Sequence, residues 1–395
     1  TSGLRLRAEV NPNQMPLEPT YANNTMDTAM LNVQPSPTLR TVLINWGYKI
    51  GDNYYQTSIN DEAGAVSWVR RSFPIASRPG GLDSPLPGFK TESRTIWAED
   101  LAAEVMQTSN FCKGVPVPNR PFCASTYTNR YAQAMRLREG IPITTRIYSM
   151  IRVEQRGFPE TRGEGNSGNV IAGPTGPGVG DWYMGHELGH TMELQHPLEM
   201  SGPSQCGHSG DDTDPSHYHP GLAIGLGSMW GFDVGDSAPN VSARPAVLPN
   251  NVWKDNIGYC PNRWNSDITY QRIYDYLFKE RTTNNLFNAD SEAAPAQPVE
   301  AGDATIGVFG GIFDGADMAT FGLVELWDSA GGALPPGGGP YTLRLLDAGS
   351  RELAHYDFSA DAFDAAPDSY AYNLVVPIAP ATTRLEIVRR SDNRL

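Results

Sequence analysis

Residues 181–197 read DWYMGHELGHTMELQHP and hold three of the chain's seven histidines. His186 and His190 are four apart, so on a helix both imidazoles project from one face and can reach a single metal ion. Glu187 adjoins the first of them, where it can touch a metal-bound water without being a ligand. His196 follows six residues after His190. A continuing helix would carry it away from the metal, so the helix must end near Glu193 and the chain must turn back. Three neutral imidazoles and one open position suit a catalytic zinc ion, whereas a structural zinc is closed by four protein ligands. Zinc lowers the pKa of its water towards ~7, and Glu187 can take that proton as the water attacks a carbonyl. His-Glu-x-x-His arises by chance in about one such chain in a hundred, and the third histidine lowers that to about one in ten thousand.

The pattern HExxHxxxxxH resembles the zinc signature of the metzincin metallopeptidases. That resemblance implies an α+β chain with a mixed-sheet catalytic domain cleft by the active site. It implies a zinc endopeptidase with His186, His190 and His196 as ligands and Glu187 as general base. The family's usual glycine three residues after the second histidine is Glu193 here. A left-handed backbone costs a non-glycine residue roughly 1–2 kcal/mol, so strain or a modified turn is expected. Glu193, Glu199 and Asp211 stand as rivals to His196 for the third ligand. The family's Met-containing turn beneath the metal has two candidates, Ile257 within 255–260 (DNIGYC) and Met229 within 228–231 (SMWG).

Tyr259-Cys260, Trp264, Ser266-Asp267, Thr269-Tyr270, Trp230–Asp233 and Tyr341–Asp347 are similar to segments of secreted bacterial metzincins, some of which cleave mucin-type glycoproteins. This likeness favours Ile257 for the turn. It covers roughly residues 40–395 and is specific only in 181–197 and 226–280. It gives Tyr259 the role of a movable tyrosine that can hydrogen-bond the oxyanion. It gives Asn169, Val170, Ile171, Ala172 and Gly173 the role of an edge strand that aligns substrate by β-augmentation, with a plain surface loop as the alternative. His196-Pro197 is also similar to serralysins, but the calcium-binding nonapeptide repeats of that branch are absent.

Asp211, Asp212 and Asp214 lie near His208, His217 and His219. The carboxylates could take Ca2+ or the histidines a second zinc, while an exposed insertion loop is the plainer alternative. Trp182, Trp230, Trp253 and Trp264 could stack on sugar rings or simply pack.

The elements that must hold these groups are short. Thr41–Ile44 suits a buried strand, Ala98–Gln107 and Asn129–Glu139 suit amphipathic helices, and Ile143–Val153 suits a strand. A Gly-rich loop is expected over Gly157–Gly180, a helix from Asp181 to about Leu194, and a helix over Asp267–Lys279 capped by Ser266 or Asp267. Six strand-like runs then follow, at Thr305–Phe313, Thr320–Trp327, Tyr341–Leu346, Leu353–Phe358, Tyr370–Val376 and Arg384–Val388. They suggest an immunoglobulin-like β-sandwich that could position the protein on a glycan or a partner. The expected division is an extended lead-in over 1–37, a peptidase domain over 38–285, a linker over 286–303 and a sandwich over 304–395.

Composition bounds the rest. The 395 residues include 40 glycines and 32 prolines, which favours loops and short strands over long helical arrays. A net charge of −14 argues against nucleic acid as partner. No apolar run is long enough to span a membrane. A monomer acting on a protein or glycoprotein is expected. The first residues carry no basic, apolar signal segment, so a processed, secreted chain is expected. Of three possible cysteine pairings, Cys112–Cys123 with Cys206–Cys260 is favoured, and four thiols of a cytosolic protein are the alternative. The rival functional reading is a decayed metallopeptidase that serves as a glycan- or protein-binding module. A further rival is an HExxH enzyme of another branch with a carboxylate ligand.

Overall fold

Leu39 and Leu43 face one way and Val42, Ile44, Trp46 and Tyr48 the other, all essentially without solvent exposure. A strand apolar on both faces must lie inside a sheet covered on both sides. In the computed structural model this strand is Thr38–Ile50 (β1). The structure describes residues 7–9, 25–27, 34–76, 81–82, 84, 86–154, 158–165, 169–197, 212–238, 240–241, 243–290, 304–327, 338–362 and 369–394. Thr1–Ser36 and Pro37–Leu395 form separate units. In the first, Arg7–Glu9 pairs antiparallel with Thr25–Asp27.

In the second unit β1 turns into Asn53–Gln56 (β2), and the helix Ile59–Ser72 (α1) follows. Ser58 and Asp61 close a capping box at the start of α1, satisfying two backbone donors there. Next come Gly88–Trp97 (β3), the short helices Leu101–Val105 (α2) and Asn110–Gly114 (α3), and Cys123–Glu139 (α4). Thr145–Arg152 (β4), Glu164–Gly165 (β5) and Val170–Thr175 (β6) complete a six-stranded mixed sheet. β3, β1, β4 and β6 run parallel in that order, while β2 and β5 pair antiparallel at their ends. Tyr183–His190 (α5) and Asp267–Asp290 (α6) follow.

Helices cover both faces. Ala65, Trp68 and Val69 of α1, Leu188 of α5, and Ile273 and Leu277 of α6 share one apolar cluster with Leu39 and Leu43. Ala124, Ala132 and Met135 of α4 share the other with Val42, Ile44 and Trp46. The alternation along β1 thus divides the two cores.

Several element bounds differ from the sequence expectations. α2 is five residues, much shorter than Ala98–Gln107, and α4 starts six residues before Asn129. α5 ends at His190 rather than Leu194. α6 runs on to Asp290, so the first five residues of the expected linker are helical; residues 291–303 lie outside the description. Ser266 caps α6, its Oγ accepting from Thr269 N at 3.1 Å.

The C-terminal strands are Thr305–Phe313 (β7), Met318–Trp327 (β8), Tyr341–Leu346 (β9), Glu352–Phe358 (β10), Asp361–Ala362 (β11), Ser369–Pro377 (β12) and Arg384–Arg389 (β13). They form two antiparallel sheets, β8-β7-β12-β11 and β10-β9-β13, around one core that includes Val308, Leu343 and Phe358. All six expected runs are strands within a few residues. This part does not stand apart from the part that carries the six-stranded sheet. Phe313 and Met318 pack with Phe111, Val115, Phe122 and the Cys112–Cys123 disulfide. Cys260 is disulfide-bonded as well, and Cys206 lies outside the described residues.

Candidate active site

α5 carries His186 and Glu187, buried, one turn from His190. Gly185 has no room for a side chain, since a Cβ there would lie 2.0 Å from the Trp68 ring of α1. The helix is therefore pressed against α1 along a glycine. It stops when Leu194 N bonds back to Gly189 O at 3.2 Å, and Glu193 takes the left-handed backbone at φ 61°. The position that usually asks for glycine thus holds a strained glutamate, with its side chain in solvent. Glu193 is not one of the clustered ligand groups, whereas His186, His190 and His196 are. Glu199 and Asp211 lie outside the described residues.

The three imidazoles face one another. His186 Nε2 lies 3.3 Å from His190 Nε2 and 3.1 Å from His196 Nε2. His186 Nδ1 is 2.8 Å from Asn256 O, and His190 Nδ1 is 2.7 Å from Leu194 O. A carbonyl only accepts, so each Nδ1 carries the proton and each Nε2 presents a lone pair. Lone pairs converging at these distances repel unless a cation lies among them. Tetrahedral ligands at about 2.05 Å from zinc would be roughly 3.3 Å apart, close to what is seen. The histidine set could hold a metal ion.

Neighbouring loops fix these rings. Asp255 is fully buried; its Oδ1 accepts from Ile257 N at 3.0 Å and its Oδ2 from Thr269 Oγ1 at 2.7 Å. Burial pushes this carboxyl above the usual range, against the pull of its bonds from Ser266 and Thr269. Asp255 thereby shapes the turn that offers Asn256 O to His186. Ile257 lies in that turn, buried, and a Cβ on Gly189 would sit 3.1 Å from its Cδ1. Met229 is 52% exposed on a separate loop. The His196 end is tied by Asp212 N to His196 O at 3.0 Å and by Tyr218 OH to Gln195 O at 2.6 Å.

The Asp/His cluster supplies those ties. Asp212 accepts from His217 and Tyr218, and His219 meets Asp267 of α6. Partner bonds hold Asp212 below the usual carboxylate range although burial opposes them. Among the described residues these groups do not gather as a second metal site; His208 and Asp211 lie outside the description. Glu104 does gather with Cys112 and Cys123, but those two sulfurs are bonded to each other.

Tyr259 lies against the site, its ring centroid 4.7 Å from that of His196 and 5.5 Å from that of His186. A cavity of about 250 Å³ opens beside His186 and Tyr259, walled by Phe122, residues 160–163, Trp182, Tyr183 and Arg263. The expected aligning strand is not part of it. β6 pairs with β4 on one side, and on the other β5 covers Ile171 and Ala172, so the middle of the Asn169–Gly173 stretch is not a free edge. Beside those two residues the outer strand is Glu164–Gly165, which continues from the cavity-lining segment 160–163. The sequence reading missed it because a stretch with two glycines shows no strand alternation. Gly163 sits on the carboxylate, where a Cβ would fall 2.0 Å from Glu187 Oε1. Trp182 lines the cavity and Trp253 is half-buried against the core. Trp264 is buried beside Trp68, and Trp230 is 55% exposed.

No known protein family matches the chain, and neither characterised proteins nor solved structures gave a match to it. No helix among the described residues is long and apolar enough to cross a membrane.

Proposed function

We propose that the protein is a secreted zinc endopeptidase of metzincin type. The convergence of three imidazole Nε2 atoms beside a buried glutamate, next to an open cavity, carries this reading. His186, His190 and His196 would hold the zinc, which when bound supplies Lewis-acid activation of water and of the scissile carbonyl. Glu187 takes a proton on its carboxylate and passes it to the leaving amine. Its place under Gly163, away from bulk water, holds the carboxylate in one position beside the histidines. The Tyr259 phenol donates to the developing oxyanion. The segment 160–165 aligns the substrate backbone along its outer side, with β6 behind it.

The Cys112–Cys123 disulfide supports an oxidising compartment. The two-sheet C-terminal part, read as an immunoglobulin-like module, buttresses the cleft through Phe122, which touches both its apolar junction and the cavity. Zinc content and digestion of a mucin-type glycoprotein, its deglycosylated form and casein, each with and without a chelator, test the reading. Chelator-sensitive cleavage is expected. Glu187→Ala should keep one metal ion per chain and lose activity by about 10²-fold or more. A chain that binds no zinc, or a Glu187→Ala variant retaining more than a few per cent of activity, overturns it.

A further inference from the structure

Arg263 stands in the cavity wall without a carboxylate partner among the described residues. Its guanidinium carbon lies 3.4 Å from the Trp182 ring centroid and 5.9 Å from that of Tyr259. Trp182 is itself 5.9 Å from the His186 ring, so one aromatic layer separates this cation from the ligand cluster. Arg263 Nε donates to Cys260 O at 2.5 Å, which fixes the plane of the group, while Nη1 is buried with no acceptor.

Some arginines around the sheet have acidic partners, Arg71 with Asp233, Arg146 with Glu280 and Arg152 with Asp61; Arg136, like Arg263, has none among the described residues, but it is spent on backbone carbonyls and does not line the cavity. A second cation, Arg162, lines the same cavity; its one carboxylate neighbour there, Glu160, is 2.8 Å away and largely in solvent. The wall therefore carries two guanidinium groups and one acidic group in a chain of net charge −14. Burial pulls the Arg263 guanidinium down to about 10. The fold thus retains a partly dehydrated cation without a counter-charge, stacked on an indole and held in one orientation. With Nε bonded to Cys260 O and Nη1 buried, Nη2 is the nitrogen that remains to meet a carboxylate in a charge-assisted hydrogen bond.

We infer that Arg263, assisted by Arg162, forms a subsite for a carboxylate on the substrate residue seated beside the scissile bond. The inference rests on the peptidase reading of the site. The carboxylate comes from an aspartate or glutamate side chain or from an acidic sugar on the substrate, and both present the same group to the guanidinium.

The test uses fluorogenic hexapeptides that carry Glu, Gln or Lys at each position flanking the cut, and an O-glycopeptide with and without its sialic acid. Wild type should cleave the Glu peptide with kcat/KM about tenfold above its Gln isostere at one position. Arg263→Gln should bring that ratio to about one, and Arg263→Glu should reverse it towards Lys. Preference confined to the sialylated glycopeptide would assign the carboxylate to the sugar. Arg263→Lys, with thermal unfolding as a fold control, keeps the charge without the guanidinium and should restore part of the preference. Binding of the Glu and Gln peptides to Glu187→Ala protein, read by tryptophan fluorescence, tests the subsite without catalysis. Tighter binding of the Glu peptide that Arg263→Gln abolishes upholds the subsite even if no peptide is cut, in which case the peptidase reading alone fails. Equal binding and equal cleavage of Glu, Gln and acidic-sugar substrates by wild type overturns the subsite.

Discussion

Replacing Gly163 with alanine would place one methyl group against the base. The built Cβ lies 2.0 Å from Glu187 Oε1 and 2.5 Å from Tyr183 Cε1, whereas ordinary contact begins near 3.4 Å, so something must move by about 1.4 Å. The backbone has little freedom to do so. Arg162 N donates to Pro121 O, Ser125 OH donates to Arg162 O, and Gly163 N donates to Tyr183 OH at 2.8 Å. One residue on, Glu164 accepts from Thr126 Oγ1 at 2.7 Å and from Asn129 Nδ2 at 3.0 Å. Gly163 also does not adopt the left-handed backbone, so alanine is not excluded by its dihedral angles. The carboxylate should therefore yield.

A misplacement of about 1 Å in a reacting group costs on the order of 10²-fold, or about 2.7 kcal/mol of barrier. Gly163→Ala should lower kcat/KM by about that factor on a casein-derived peptide. It should leave metal stoichiometry at one per chain, because none of the three histidines is touched. Gly315→Ala, where nothing lies within 4 Å, serves as the control. Activity within threefold of wild type would refute the placement of the base beneath this segment. Loss of metal with loss of activity would show that the strain spreads through α5 instead.

Two further outcomes concern the junction between the part with the six-stranded sheet and the C-terminal part. Burial raises the Glu104 carboxyl from 4.5 to about 7, against the pull of Ser109 and Arg130. Because the folded value exceeds the unfolded one, its contribution is whole below about pH 4.5 and is lost as the pH rises through about 7, a span of about 3 kcal/mol. Glu104→Gln should flatten the pH dependence of urea unfolding across that window and raise stability at pH 8; an unchanged profile would count against a buried neutral acid. Replacing Cys112 and Cys123 together by serine should cost about 3 kcal/mol. It should also speed amide exchange in Phe313–Met318, and exchange that stayed slow there would mean that the aromatic packing holds the junction unaided.

The features legible from the residues alone are those whose partners lie close along the chain. The four-residue spacing of His186 and His190 needs only one helical turn, and the return of His196 needs only that the helix stop. Strain or a modified turn at Glu193 was legible for the same reason, and the structure resolves it as a left-handed backbone. So were the six C-terminal strands, whose alternation and turns are local. Tertiary structure alone decided what faces those residues. Asn256, 70 positions from His186, sets its proton. Gly163 covers Glu187 across a glycine-containing stretch with no periodic pattern, and it lies beside the strand that had been expected at the edge. Arg263 becomes a cavity cation only because Trp182 stacks on it and no carboxylate among the described residues pairs with it. Local spacing records backbone geometry, whereas burial, charge pairing and edge exposure depend on which distant segments the fold brings together.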